Sequence, residues 1–361
     1  MKRFVLAGAF CSVLLFTLAT VMSGSVLAVE NDHSYYVQGP METGPEVTTQ
    51  CLKCHEKHAE DFMKTTHWTW AQDQLVGDKN VVRGKKNAIN NFCTSIAGNW
   101  PRCTSCHAGY GWKDNSFDFT NAANVDCLVC HDTTGTYVKE ATGAGNPAKR
   151  VDLVYVAQSV GKPSRFNCGT CHFYGGGGDA VKHGDLDSSM EYPSRSVDVH
   201  MDTDGNDFSC QECHTTEGHA IPGNSLGVSP GGTRHFSCAK CHEEAPHAQS
   251  RLNKHAEDIS CQTCHIPFYA KEVPTKLSWD WSTAGQDIES PVDENGKHNY
   301  NKKKGHFSWG KMVVPNYLWY NGSASAYNRG DKMDPEKVTM LTYPNGSIKD
   351  EKAKIHPFKL H

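Results

Sequence analysis

The stretch Cys127-Leu128-Val129-Cys130-His131 is one of seven places where two cysteines, separated by two residues, are followed directly by a histidine. The other six are Cys51, Cys54 and His55; Cys103, Cys106 and His107; Cys168, Cys171 and His172; Cys210, Cys213 and His214; Cys238, Cys241 and His242; and Cys261, Cys264 and His265. Two thiols at this spacing can form thioether bonds to the vinyl groups of one haem, and the next histidine binds the iron. The sequence therefore predicts seven covalently attached c-type haems.

Other uses of paired cysteines fit this pattern less well. Sixteen cysteines in an exported chain would usually indicate disulfides, but fourteen of them lie in the motifs. Zinc ribbons and thiol-redox sites use the same cysteine spacing, yet neither needs a histidine after each pair. With histidine at 20 of 361 positions, chance would place it after all seven pairs with a probability on the order of one in a billion.

The haem count also sets the expected fold. Seven macrocycles supply much of the buried apolar area, so the polypeptide can contain many loops around a dry interior. We expect a multihaem cytochrome c fold, mainly α with extensive loops, a haem-packed core and little β structure. Residues 57–71 and 153–161 are predicted helices, and frequent glycine, asparagine and aspartate indicate loops. The motifs are unevenly spaced, which excludes a regular solenoid.

The two ends of the chain differ from its middle. Residues 1–28 have the charged start, apolar run and small-residue cleavage pattern of a signal peptide, which predicts a periplasmic location. The apolar run could instead remain as a membrane anchor, since about 20 apolar residues span a bilayer. Residues 29–270 form the predicted multihaem domain, and 271–361 an aromatic and lysine-rich wrapping segment. The charge balance, 36 Lys and Arg against 40 Asp and Glu, disfavours a nucleic-acid partner.

A low-spin electron-transfer haem needs a second axial ligand. The 20 histidines, less the seven in motifs, leave 13 for this role. Our candidates lie in short polar stretches near a motif or in the tail: His67, His200, His219, His235, His247, His255 and His306. The alternative for each is an ordinary surface histidine.

Two features are not explained by a protein that only transfers electrons between haems. Cys93 has no haem partner, and it is either a small buried apolar residue or a functional thiol. Four glycines at 175–178 precede Lys182 and His183, and glycine allows the backbone to press against a flat macrocycle. A phosphate-binding loop is excluded because the Gly-Lys-Ser/Thr ending is missing. Lys182 is then either an iron ligand or a surface lysine.

Several segments are distinctive enough to carry a family resemblance. They are GPMETGPEV at 39–47, KTTHWTW at 64–70, NNFC at 90–93, PRCTSCHAGYGW at 101–112, the glycine stretch, and PTKLSWDW at 274–281. Together they resemble the octahaem tetrathionate reductase family, from about residue 35 to the end of the chain.

The resemblance implies an active site at the haem on Cys103, Cys106 and His107, with Lys182 as its distal ligand and Cys93 in the pocket. Burial favours the neutral amine that can bind iron. Family members carry an eighth motif near the C-terminus, whereas no cysteine follows Cys264 here. The sequence is therefore either truncated or that of a seven-haem relative.

Three functions are compatible with this pattern. The resemblance implies a reductase that cleaves tetrathionate to two thiosulfates, and the sequence favours an enzyme of this kind. The same haem could instead reduce nitrite or hydroxylamine. The third possibility is a pure electron carrier in which every iron has two protein ligands. In each case a small cytochrome or a quinol dehydrogenase is the expected electron donor, and a small inorganic ion or molecule the expected substrate of an enzyme.

Overall fold

A computed structural model describes residues 32–76, 79–89, 95–223 and 237–361 of the chain. The predicted signal segment, Cys93 and His235 lie outside the described residues. Residues His33–His361 form one compact unit. Within the described ranges, no helix is both long enough and apolar enough to cross a bilayer.

The helices are short, apart from the one that carries the first motif. They are α1 His33–Tyr36, α2 Gly44–Met63, α3 Thr66–Thr69, α4 Trp100–Cys103, α5 Leu128–His131, α6 Leu153–Gln158, α7 Arg165–His172, α8 Cys210–Cys213, α9 Ser250–Asp258 and α10 Cys261–His265. Helix α2 begins with a capping box in which the Thr43 hydroxyl accepts a hydrogen bond from the Glu46 amide and the Glu46 carboxylate accepts one from the Thr43 amide. The helix predicted at 57–71 is present as the end of α2 and as α3, with a break at 64–65.

The haem motifs lie on helical turns. Six of them overlap α2, α4, α5, α7, α8 and α10, and the sixth motif forms a 3-10 turn at Cys238–Lys240. Residues three apart on a helical turn are neighbours on one face. Both thiols of a motif can therefore reach the same side of the chain, as attachment to a single macrocycle requires.

Strands are concentrated in the C-terminal segment. A hairpin joins β1 Gln72–Val76 to β2 Lys79–Arg83. The later strands are β3 Thr275–Asp280, β4 Tyr300–Asn301, β5 Gly305–Gly310, β6 Asn316–Tyr320, β7 Ala324–Ala326, β8 Thr342–Pro344 and β9 Lys354–Phe358. They pair antiparallel in the order β3-β5-β4, β6-β9 and β7-β8. The described residues between β2 and β3 contain little β structure, as predicted. Residues 275–358 contain β3 to β9, which the sequence did not predict.

The apolar core is divided into small clusters. One contains Val47, Leu128 and Val156, a second Trp70, Ile96 and Trp112, and a third is built around Phe173. The first cluster packs against cysteines of the first and third motifs, and the second against Cys103 and Cys106. The protein thus surrounds the motif thiols with apolar side chains, which suits an interior that holds macrocycles.

Candidate redox site

Two motif histidines are held by a backbone carbonyl on the side of the ring away from the metal-binding nitrogen. His131 Nδ1 lies 2.8 Å from the Gly161 oxygen, and His214 Nδ1 lies 2.7 Å from the Pro222 oxygen. When Nδ1–H donates to a carbonyl, the lone pair of the neutral ring is on Nε2. This is the arrangement that metal-binding histidines commonly show, and it leaves Nε2 available for iron.

Five motif histidines lie opposite a second histidine at nearly constant spacing. The distances between ring centroids are 6.3 Å for His55 and His33, 6.1 Å for His172 and His67, 6.5 Å for His131 and His219, 6.0 Å for His242 and His200, and 6.0 Å for His265 and His247. An iron bound between two imidazoles, with metal–nitrogen bonds of about 2 Å, would separate the centroids by about 6 Å. These five pairs therefore fit a haem iron between them.

The second histidines include four of the sequence candidates and one residue that sequence reasoning missed. His67, His200, His219 and His247 each face a motif histidine, as does His33, which was not a candidate. Its only sequence signal was an isolated histidine in a polar stretch before the first motif.

The remaining candidates are placed differently. His255 lies exposed on α9. In β5, His306 has its Nδ1 2.9 Å from the Thr283 hydroxyl and its ring 4.7 Å from that of Tyr300. In the ring contacts of the described residues, neither faces a motif histidine.

Cysteines from different motifs touch one another. The side chains of four pairs of motif cysteines interact: Cys51 with Cys127, Cys106 with Cys171, Cys168 with Cys210, and Cys238 with Cys261. None of the 14 described cysteines forms a disulfide. Contacts of this kind link the first motif to the third, the fourth to both the second and the fifth, and the sixth to the seventh. Haems attached to these thiols would lie side by side.

His107, in the second motif, has a different environment. Its ring is fully buried among Trp68, Trp70, Trp112, Phe117 and Phe119, at centroid distances of 4.8 to 6.1 Å. Burial lowers its pKa to about 3. Here Nε2 is the engaged nitrogen, 2.7 Å from the Trp68 oxygen, while the buried Nδ1 has no hydrogen-bond partner among the described residues. Iron binding through Nε2 requires the ring to release the Trp68 carbonyl.

Four lysines form a series that begins near the second motif; we call Lys85, Lys182, Lys276 and Lys359 the lysine cluster, because Lys85 acts electrostatically on Lys182, and Lys182 and Lys276 act on Lys359. Burial, with repulsion from Lys85, lowers the pKa of Lys182 to about 8. Burial and repulsion from Lys182 and Lys276 lower the pKa of Lys359 to about 7. Because these lysines act on one another electrostatically, they form one positively charged region.

The lysine cluster extends to the second motif. Lys85 lies close enough to lower the pKa of both Cys106 and His107 as well as that of Lys182. Lys276 lies at the other end of the series: its Nζ packs over the rings of Phe307, Trp279 and Trp309 at 3.8 to 4.9 Å, and burial together with repulsion from Lys304 lowers its pKa to about 8. Concentrated positive charge with low-dielectric walls attracts anions. Lys182 is thus connected to the second motif through Lys85, in a positively charged region that suits an anionic ligand. Cys93 lies outside the described residues, so its predicted place in the pocket stays a prediction.

Two parts of the chain match known families. Residues 276–361 match the family described as cytochrome c bacterial, and residues 50–132 match cytochrome c554 and c-prime. An uncharacterized protein of Archaeoglobus fulgidus is 23% identical over 245 residues, which are 54% of this chain and 82% of the relative.

A solved structure resembles nearly the whole chain. The crystal structure of octaheme cytochrome c from Shewanella oneidensis has a TM-score of 0.86 and 63% sequence identity, over 91% of this chain and 74% of that one. This identity, together with the motif geometry, establishes haem c as the cofactor and electron transfer as the general activity. The chain therefore belongs to the multihaem c-type cytochromes.

Proposed function

We propose that this cytochrome is an exported, periplasmic reductase that delivers electrons through its haems to tetrathionate bound at the lysine cluster beside the second motif. The observation that carries the proposal is the series of lysines that starts with Lys85 at that motif and continues through Lys182 and Lys359 to Lys276. A protein that only stores or relays electrons has no need for a buried group of cations beside one of its irons.

The motif residues and their facing histidines have distinct roles in the proposal. Each motif holds one haem c, which supplies reversible one-electron redox chemistry when bound. The five facing histidines are proposed as second axial ligands because their spacing fits an intervening iron. Carbonyl bonds such as that from His131 Nδ1 to Gly161 fix the ring orientation and make Nε2 more basic.

Contacts between motif cysteines suggest how electrons reach the second motif. Cys171 Sγ lies 3.8 Å from the Cys106 oxygen, so the fourth motif adjoins the second. The fourth motif also adjoins the fifth through Cys168 and Cys210. We propose that the fourth motif is the junction through which the second receives electrons from the rest of the chain.

Positive charge favours a dianionic substrate. Cleavage of the central sulfur–sulfur bond of tetrathionate takes two electrons, releases two thiosulfates and consumes no proton. The negative charge on the sulfur species doubles in this step, and fixed cations stabilise charge that develops in a transition state. Hydroxylamine is neutral near pH 7 and gains little from the lysine cluster. Nitrite carries one charge and needs a supply of protons as well as electrons.

Lys182 has two proposed roles, according to its protonation state. Its neutral amine can bind an iron, and its ammonium form can bind an anion. A pKa of about 8 makes both forms accessible near neutral pH.

The test uses the exported, haem-loaded protein. Reduced by a viologen dye, it should turn over tetrathionate faster than nitrite or hydroxylamine, and one iron should respond to cyanide in its electron paramagnetic resonance spectrum. Lys182→Ala should abolish most of the turnover with an unchanged haem content. The control is Lys57→Ala, at a side chain that is 81% exposed. Inactivity with all three acceptors, together with cyanide-insensitive irons, would establish the carrier and refute the reductase.

A further inference from the structure

The loop that carries Lys182 has an unusual backbone. Gly176 and Gly177 adopt φ values of +86° and +99°, and Ala180 adopts +56°. Glycine takes such angles readily, whereas alanine in the left-handed region is strained. Ala180 is also only 1% exposed. Neighbouring residues must therefore hold the backbone of this loop in place.

Two side chains from the C-terminal segment bind the loop at three successive carbonyls. The Thr275 hydroxyl, at the start of β3, donates to the Ala180 oxygen at 2.6 Å. Lys359, one residue beyond β9, donates from Nζ to the oxygens of Val181 at 3.2 Å and Lys182 at 3.0 Å. Lys359 also donates to the Thr275 hydroxyl, which joins the two side chains into one unit. We call Thr275 and Lys359 the loop clamp.

Further contacts fix the far end of the same loop. The Lys271 amide donates to the Asp185 carboxylate at 2.9 Å, and the Ser188 amide donates to Asp179 at 2.9 Å. The loop clamp therefore acts on a segment whose ends are already anchored. The loop clamp fixes the backbone at 180–182, and this backbone sets the direction of the Lys182 side chain.

We propose that Lys359, together with Thr275, is a positioning residue that aims Lys182 at the iron of the second motif; this inference rests on the iron-binding role proposed for Lys182. Lys359 has no direct part in substrate chemistry in this view. Its ammonium group satisfies two carbonyls in a partly buried place, where charged hydrogen bonds are stronger than neutral ones. Without it, the strained backbone at Ala180 relaxes and the amine of Lys182 no longer stays at the metal.

The experiment compares three variants of the full, haem-loaded chain with the wild-type protein. Lys359→Met removes the charge and the hydrogen bonds, and Thr275→Val removes a hydrogen bond without any change of charge. Lys354→Met is the control, because Lys354 is exposed on β9 and its side chain donates to the Ala256 oxygen, outside the loop that carries Lys182. Two readouts are used: the amine-ligated low-spin signal with its cyanide affinity, and the hydrogen–deuterium exchange of amides 176–185.

We expect Lys359→Met to lose part of the amine-ligated signal and to bind cyanide about tenfold or more tightly, since a charged hydrogen bond contributes enough to shift an equilibrium by that factor. Thr275→Val removes a neutral hydrogen bond and should show a smaller change in the same direction. Amides 176–185 should exchange faster in both variants, and Lys354→Met should match the wild type. Lys359→Arg should restore much of the signal, because it can donate to the same carbonyls.

The outcomes separate this inference from the proposed function. If the wild type shows no amine-ligated iron, the role of Lys182 fails, and the positioning of Lys182 fails with it. If the wild type shows that signal and both clamp variants keep it unchanged, the inference is overturned while the proposed function stands. Faster exchange with unchanged spectra would also overturn it, because the clamp would then hold the loop without aiming Lys182.

Discussion

Loss of the Lys139 charge should destabilise the protein strongly, because it leaves a buried carboxylate without its cation. Asp126 is fully buried, and Lys139 Nζ lies 3.0 Å from it at 5% exposure. The same carboxylate accepts hydrogen bonds at 2.9 Å from the hydroxyls of Tyr110 and Tyr137. Lys139 also donates to the His107 oxygen. The pair thus joins the second motif to the residues around the third.

The expected loss of unfolding free energy follows from the burial of this ion pair. Removal of one partner of a buried ion pair costs about 3–5 kcal/mol. The two tyrosine hydroxyls remain as donors to Asp126, so Lys139→Met should lie near the lower end, at about 3 kcal/mol. For a chain of this size, about 2 °C of melting temperature corresponds to each kcal/mol, which gives a fall of about 6 °C.

Calorimetry of the haem-loaded protein at one fixed scan rate measures this fall. The control is Lys57→Met, which breaks a surface pair with Asp61 where Lys57 is 81% exposed; it should change the melting temperature by less than about one degree. Asp126→Asn combined with Lys139→Met should recover part of the loss, since no buried charge remains. Equal melting temperatures for Lys139→Met and Lys57→Met would refute the reasoning.

Three further results are expected. His33→Ala should convert one low-spin haem to high spin, since His33 faces His55 at 6.3 Å; an unchanged absorption spectrum would exclude His33 as a ligand. The pKa values of Lys182 and Lys276 are both lowered from 10.5 to about 8, mainly by burial. Their positive charges are therefore lost as the pH rises through 8, so KM for tetrathionate should rise from pH 7 to 9. Lys276→Met should reduce that rise without abolishing it, and a KM that falls with pH would contradict the assignment. Gly145→Ala should lower the melting temperature by several degrees, because Gly145 has φ +91° and an added Cβ would lie 2.0 Å from the Gly109 oxygen; a calorimetric scan like that of the wild type would disprove this.

The motif chemistry was readable from the sequence because it is local. Two thiols and a histidine within five residues define a haem site regardless of the surrounding fold. The helical turns at Cys127–His131 and Cys261–His265 follow from the same short spacing. By contrast, the pairing of His172 with His67 joins residues that are far apart in sequence, and only the packed chain determines it.

Other features depend on packing that no short pattern encodes. His33 became a ligand candidate because α1 lies against the first motif, and His306 lost that position because its ring packs on Tyr300 in the β4–β5 pair. The strands of residues 275–358 were not anticipated, since their pairing partners are up to 42 residues away, as for Asn316 and Phe358. The lysine cluster likewise joins residues from four distant segments.

The large sequence separation between Lys359 and the loop that it binds affects the order of folding. Its bond to the Lys182 oxygen spans 177 positions of sequence. Synthesis from the N-terminus produces the seven motifs of this sequence before Lys359, so these motifs can acquire their haems before the loop clamp forms. Closure of so long a loop carries an entropic cost, which is offset only when the strands of residues 275–358 have assembled. Haem attachment at the seven motifs should therefore precede the fixing of the loop at 176–182, and the delay should depend on the rate at which the C-terminal strands fold.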